Sequence, residues 1–422
     1  MSHRELSRRQ LLRDAGRYGL AVASLMGVGG ALTACADSRS TASSGDITVG
    51  HLFSRTGSVA AVGQAAAGGV LMRIDEANES GGIKSLGGAK INLIEADDQS
   101  KPEVAAGELA RLAEQGAQVC IGSVGSPAML QATQEAERQQ VSIVNSVSVL
   151  DQINQRGFRY TFTSCGNSQR YTEDFVLNTK TVLDQAGYRP KKVGVLFESN
   201  IQGPFYADAM RKFFPQYTKW DVSYYDYPLD TNDFEPLLQR LRGDGVDVVV
   251  LASYAKDGAL ILQSMQTMRY DVGLIAGCMG GLISREFITS AGDAAEGFVG
   301  ESYWVEHLKL PGLQGFLDKA RQGQSGPVDP FTALGYAAAS VVVDALERAG
   351  STDKAKIHEA IAATDLSAGE NGFIAPGGVK FDATGANSAI RGVYYQIKDG
   401  QQQAVLPKEF AVTEPTVPHA TW

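Results

Sequence analysis

The sequence predicts an α/β fold made of two doubly wound units, and three observations carry that expectation. Short β-rich runs alternate with stretches of helical period, the pattern of βαβ units on a parallel sheet. The alternation restarts near Lys192. Eight parallel strands with their helices are also more than one typical sheet accommodates.

The elements follow in order. ITVGHL (47–52) is a strand candidate and is followed by a helical stretch over 59–78. INLIEA (91–96) precedes a helix over 102–115, VCIG (119–122) precedes one over 127–139, and VSIVN (141–145) follows. Pro102 and Pro127 stand in first-turn positions, where a missing N–H costs nothing. In the second unit KVGVLF (192–197), VSYYDY (222–227), VDVVVLA (246–252) and VGLIAG (272–277) are strand candidates. Helical stretches near 205–214, 233–242 and 257–269 separate them. A third section carries a helix over 329–348, then GVKF (378–381) and GVYYQI (392–397) around an Asp382–Gly385 turn.

The N-terminus reads as an export signal. Ser7-Arg8-Arg9-Gln10-Leu11-Leu12-Arg13 has the twin-arginine pattern, and no charge follows between Tyr18 and Ala34. Those 17 residues, diluted by glycine, are too short and too weakly apolar for a good spanning helix. Leu32-Thr33-Ala34-Cys35 resembles the lipobox of bacterial lipoproteins, so Cys35 is the expected lipidation site. Residues 1–34 are then the signal peptide, and 35–45 the lipidated cysteine with a small, polar tether. The formal charge of the whole chain is −9, and loss of the signal makes it more acidic, which argues against nucleic acid or an anionic membrane as partner. Cys120, Cys165 and Cys278 show no paired spacing and are expected to be free.

Catalysis is not supported. There is no GxxxxGK[ST], no GxSxG, and no GxGxxG after a strand past the signal. The five histidines show no metal-ligand spacing, and His51 reads as a half-buried strand residue. Asp97 and Asp98 read as ending a strand and capping the next helix. No metal and no cofactor is expected.

Several segments read together: GHLFSRTGSVAAVG (50–63), VLMRIDEANESGGIK (70–84), IEADDQSKP (94–102), VCIGSVGS (119–126) and VDVVVLASY (246–254). In this order they resemble the Leu/Ile/Val-binding protein family, extracytoplasmic solute-binding receptors of ABC importers, over about residues 46 to 400. The resemblance implies the type I periplasmic-binding-protein-like fold: two Rossmann-like lobes joined by three hinge crossovers, with the ligand between them. It places 46–164 and 300–390 in lobe 1, 165–299 and 391–410 in lobe 2, and 411–422 in a C-terminal tail.

By the same resemblance, Ser126 holds a ligand carboxylate at a helix N-terminus, where unpaired N–H groups and the helix dipole favour an anion. The competing reading of Ser126 is a plain helix N-cap. Ser148, or Ser146, would supply a second hydroxyl, and Tyr254 would close over the ligand from lobe 2. Gln202 stands where many relatives have tyrosine, and Val62 replaces an aromatic at the cleft entrance. Met279 stands where amino-acid binders place the carboxylate that pairs with the α-ammonium, although Glu286 or Glu301 could supply that charge from elsewhere. The implied ligand is a small amino acid, carboxylate or amide. Its expected form has an anionic or strongly polar end and no cationic centre near Met279, so an aromatic or branched carboxylate or a small amide fits better than leucine. The implied partners are ABC permease subunits, with the membrane reached only through the anchor. A urea or short-chain-amide receptor of the same fold and a signalling sensor ectodomain remain as alternatives.

Overall fold

The computed structural model describes residues 45–199, 202–278, 280–322 and 327–419. The expected signal, the Cys35 anchor and Met279 lie outside the described residues. Five strands, β1 (Ile47–Phe53), β2 (Ile91–Asp97), β3 (Val119–Gly122), β4 (Ser142–Asn145) and β5 (Thr161–Thr163), form an all-parallel sheet in the order β2-β1-β3-β4-β5. The second sheet takes β6 (Val193–Glu198), β7 (Val222–Tyr227), β8 (Val248–Ala252), β9 (Leu274–Gly277) and β10 (Val299–Ser302), all joined in parallel. Beyond a short antiparallel pair, β11 (Asp365–Leu366) with β12 (Val379–Lys380), the chain adds β13 (Val393–Lys398) and β14 (Gln401–Leu406) antiparallel to the β10 edge. The second sheet therefore runs β14-β13-β10-β9-β8-β6-β7. Gly300 lies inside it, on β10.

The reason for this division is chemical. VVVLA of β8 is buried at every position, as a central strand covered by helices on both faces must be. The helix Pro330–Ala349 is apolar nearly all round, with sixteen buried residues, so it must lie inside rather than on the surface. Asp329 starts it by accepting from Phe331 N–H at 2.9 Å, Pro330 occupies the first turn, and Gly350 ends it at φ +50°. It packs on the helix Ala60–Glu79 through small residues: a Cβ on Gly69 would lie 1.9 Å from the Thr332 carbonyl oxygen, and one on Gly335 would lie 2.0 Å from that of Ala66.

The chain passes between the sheets three times. It leaves β5 for the helix Ser168–Gln185, which packs on β10; it leaves β10 for the helix Pro330–Ala349; and it enters β13 after Ile390-Arg391-Gly392. Two expectations are corrected here. Asp97 and Asp98 do not cap the following helix, whose N-cap is Lys101 without a side-chain bond. Instead Asp97 accepts from the backbone N–H of Arg55 (2.9 Å), Thr56 and Gln99, and Asp98 accepts from the hydroxyls of Ser54 and Ser123. The pair ties together the loops that follow β1, β2 and β3. His51 is fully rather than half buried, because β1 lies between β2 and β3 with helices on both faces.

Candidate functional site

Parallel strands end at one edge of each sheet, and loops after their C-terminal ends are where such sheets bind ligands. The turn after β3 bends at Gly125, whose φ of +83° suits glycine, and the helix Ser126–Gln139 begins at once. Gly125 is the N-cap, so Ser126 is not; its hydroxyl caps nothing and has no hydrogen-bond partner among the described residues. After β4, Asn145 shapes the next turn: its side-chain oxygen Oδ1 accepts from the N–H of Ser148 at 2.9 Å and its side-chain amide donates to the Ser148 carbonyl at 2.6 Å. From the other sheet, β6 leads to Gln202 at the start of the helix Gln202–Tyr217, and β8 leads to Tyr254 ahead of Ala255–Thr267.

These turns enclose one cavity of about 100 Å³. Val62, Ser126, Ser148, Gln202 and Tyr254 all border it, so the structure brings together five of the seven residues singled out from the sequence. Ser146 does not border it; its buried hydroxyl has no partner among the described residues. Met279 lies outside the described residues; Gly280 and Gly281 line the wall. Ser148 spends its hydroxyl on the Ser123 carbonyl at 3.0 Å.

Sequence reasoning missed an aromatic wall. Tyr171 and Tyr303 come from segments next to the crossovers, and Tyr206 from the helix after β6. The rings of Tyr171 and Tyr206 stand edge-on at 6.2 Å, and those of Tyr171 and Tyr303 at 5.3 Å. A signal for Tyr206 was present: it follows Gln202 by four residues, so both share a helix face. Tyr171 was hidden because its helix, Ser168–Gln185, turns threonines inward, where Thr172 and Thr179 bond to carbonyls one turn back.

Burial holds the phenols of Tyr171, Tyr206, Tyr254 and Tyr303 well above their ordinary range, so they are neutral donors at any physiological pH. No Asp, Glu, Lys, Arg or His lines the cavity among the described residues. Glu286 is exposed on the helix Arg285–Ala291, and Glu301 is buried against Asn178; neither borders the cavity. Cys165 borders it as a free, buried thiol that burial pushes up to about 12, hence unreactive; Cys120 and Cys278 are also free and buried. No three His, Cys, Asp or Glu among the described residues are grouped to hold a metal, and no described helix is long and apolar enough to cross a membrane.

Residues 46–401 match the periplasmic binding protein family. The chain belongs to that family. This periplasmic binding protein is 28% identical over 384 residues to Leu/Ile/Val-binding protein homolog 8 of Brucella abortus, covering 89% of this chain and 94% of that one. Homolog 7 from Brucella melitensis is 27% identical over 387 residues, covering 89% and 95%. Among solved structures it is similar to the branched-chain amino acid transporter substrate binding protein LivJ of Streptococcus pneumoniae, in complex with isoleucine (TM-score 0.74, 22% identity, 86% of this chain and 100% of that one). It is also similar to an R. palustris solute-binding protein in complex with benzoate (TM-score 0.72, 18% identity, 89% and 99%). The periplasmic binding protein described here is thus a two-lobed, type I extracytoplasmic solute-binding protein, as its sequence led one to expect.

Proposed function

We propose that this protein is the solute receptor of an ABC importer of the branched-chain amino-acid type, and that its ligand is a small carboxylate with an apolar or aromatic body and no ammonium group. The observation that carries the reading is the cavity wall: uncharged among the described residues, with an unpartnered Ser126 hydroxyl at a helix start and neutral phenols opposite. A helix N-terminus favours an anion by about 0.3–1 kcal/mol when exposed and up to about 2 when partly buried. An α-ammonium in the same place would lose water without gaining an ion pair, at a cost of roughly several kcal/mol. The names and ligands of the relatives leave both outcomes open, leucine-like on one side and benzoate-like on the other.

The mechanism is hinge closure: solute held by lobe 1 (46–164 and 300–390) gains contacts from lobe 2 (165–299 and 391–410), which shifts the open–closed population. The closed receptor then delivers its solute to the permease. Export follows the twin-arginine route, and acylated Cys35 tethers the mature chain; Cys35→Ser should release the protein from the membrane fraction, and its retention there would refute the anchor.

Calorimetric titration tests the ligand class. Benzoate or 4-methylpentanoate, which is leucine's skeleton without its amino group, should bind at least tenfold more tightly than leucine, isoleucine or valine. Micromolar or tighter binding of any of those amino acids would overturn the class. Ser126→Ala should weaken the bound acid roughly tenfold or more, the loss of a charge-assisted hydrogen bond worth about 1.5–3 kcal/mol.

A further inference from the structure

Ser126 and Val149 from one lobe and Gln202 and Tyr206 from the other border both the main cavity and a smaller one of about 20 Å³ beside it. They frame the throat between the two spaces. Ser126 opens one helix and Gln202 the other, and Tyr206 lies one turn on from Gln202. Tyr206 is only 4% exposed, yet its hydroxyl has no hydrogen-bond partner among the described residues. Its oxygen is open to the cavities that Tyr206 borders rather than sealed in the core, so a bound molecule can reach it. Three other hydroxyls of the wall are engaged: Tyr171 donates to the Glu301 carbonyl, Tyr303 to that of Asn167 at 3.4 Å, and Ser148 to that of Ser123 at 3.0 Å; those of Ser126 and Tyr254 are, like that of Tyr206, without a partner among the described residues.

We propose that Tyr206 is the specificity residue opposite Ser126: its hydroxyl donates to the same ligand carboxylate from the second lobe and makes the site prefer an acid to the corresponding amide. The inference rests on the carboxylate reading above and adds a residue and a selection rule to it. A carboxylate has acceptors for donors arriving from both sides, and a hydrogen bond to an ionised acceptor is about twice as strong as one between neutral groups. An amide of the same shape forfeits that charge assistance at Tyr206 and the preference of the Ser126 helix start for an anion. Gln202 does not discriminate, since its amide can turn either its oxygen or its nitrogen inward. Burial keeps the Tyr206 phenol protonated, so it acts as a donor throughout the physiological range.

The experiment measures Kd for benzoate and benzamide, and for 4-methylpentanoate and its amide, on the full-length protein and on Tyr206→Phe. The unsubstituted protein should prefer the acid of at least one pair tenfold or more. Tyr206→Phe should weaken that acid about tenfold and its amide less than threefold, with the melting temperature confirming a folded protein. Tyr171→Phe, whose hydroxyl is already engaged, should leave the acid-to-amide ratio unchanged. If Tyr206→Phe leaves acid binding within threefold, or weakens acid and amide equally, the assignment is overturned while the carboxylate reading stands. If neither acid binds the unsubstituted protein, the carboxylate reading falls and this assignment with it.

Discussion

Asp257 is buried in the first turn of the helix that Tyr254 precedes, and its two carboxylate oxygens fare differently. One accepts from the Tyr227 hydroxyl, which also lies 2.6 Å from Ser253; the other has no partner among the described residues. Burial raises its pKa from 3.8 to about 6, with the charge of Glu198 adding to the effect. The folded state therefore keeps a proton that the unfolded chain releases above pH 4, so this group's contribution falls as pH rises from about 4 to 6. The loss is about 3 kcal/mol. His51 acts in the opposite direction. Burial and then the charge of Arg55 lower it from 6.5 to about 4, so the unfolded chain takes up a proton first and stability falls as pH drops from about 6.5 to 4. The two slopes oppose each other in one window and nearly cancel in the unsubstituted protein. Urea unfolding from pH 4 to 7 separates them: relative to that protein, Asp257→Asn should gain stability as pH rises, and His51→Gln should gain it as pH falls. A difference that does not vary with pH in either variant would contradict the burial argument for that residue.

Two consecutive glycines in the helix Ala60–Glu79 illustrate how context decides the sign of a substitution. Gly68 faces solvent and a Cβ there would meet nothing within 4 Å, whereas a Cβ on Gly69 would lie 1.9 Å from the Thr332 carbonyl oxygen. Gly68→Ala should stabilise by about 0.5–1 kcal/mol through helix propensity. Gly69→Ala should destabilise by roughly 1–3 kcal/mol, because two helices must move apart. Thermal melts of the two variants should shift in opposite directions, and shifts of the same sign would refute the close approach. The helix itself was legible as a long run of alanine and other helix formers without proline; the packing partner was not, since contact between residues 69 and 332 is a tertiary fact. The same distinction holds elsewhere. β3 and β7 were read with their observed limits, but β5, β10 and β14 were missed: THR-rich or Gln-rich strands such as Thr161–Thr163 and Gln401–Leu406 carry little apolar pattern. Without β10 and the helix Ser168–Gln185, the tyrosines beside the crossovers could not be placed on the cavity. The turns bearing Ser126 and Ser148 were visible because Gly, Pro and Asn mark them locally.

At the scale of the molecule, the three passages between the sheets converge on a polar cluster around the buried Glu301. The helix after the first passage supplies Arg170, Asp174 and Asn178, β10 supplies Glu301, and Arg391-Gly392 belongs to the third. Glu301 is fully buried; one oxygen accepts from the Asn178 amide at 3.1 Å and the other has no partner among the described residues. Burial, and then the charge of Asp174, holds its carboxyl well above the usual range, while Asp174 is itself raised by burial despite Arg170 at 3.7 Å. Two carboxyls so placed are best accommodated with Glu301 neutral, in which case a glutamine is nearly its equal in shape and hydrogen bonding. Glu301→Gln should therefore stay within about 1 kcal/mol of its parent below about pH 4.5, where the glutamate is protonated in both states, and should be the more stable of the two near neutral pH, whereas loss of one member of a buried ion pair costs about 3–5 kcal/mol. The sign with pH follows from the raised pKa: the unfolded chain loses this proton above pH 4.5 and the folded chain keeps it, so the unsubstituted protein loses stability as pH rises and Glu301→Gln does not. Urea unfolding of both proteins between pH 5 and 9 should thus show the glutamine variant gaining steadily on its parent. A loss of 3 kcal/mol or more at pH 7 would mean that Glu301 is ionised and paired rather than neutral and hydrogen-bonded.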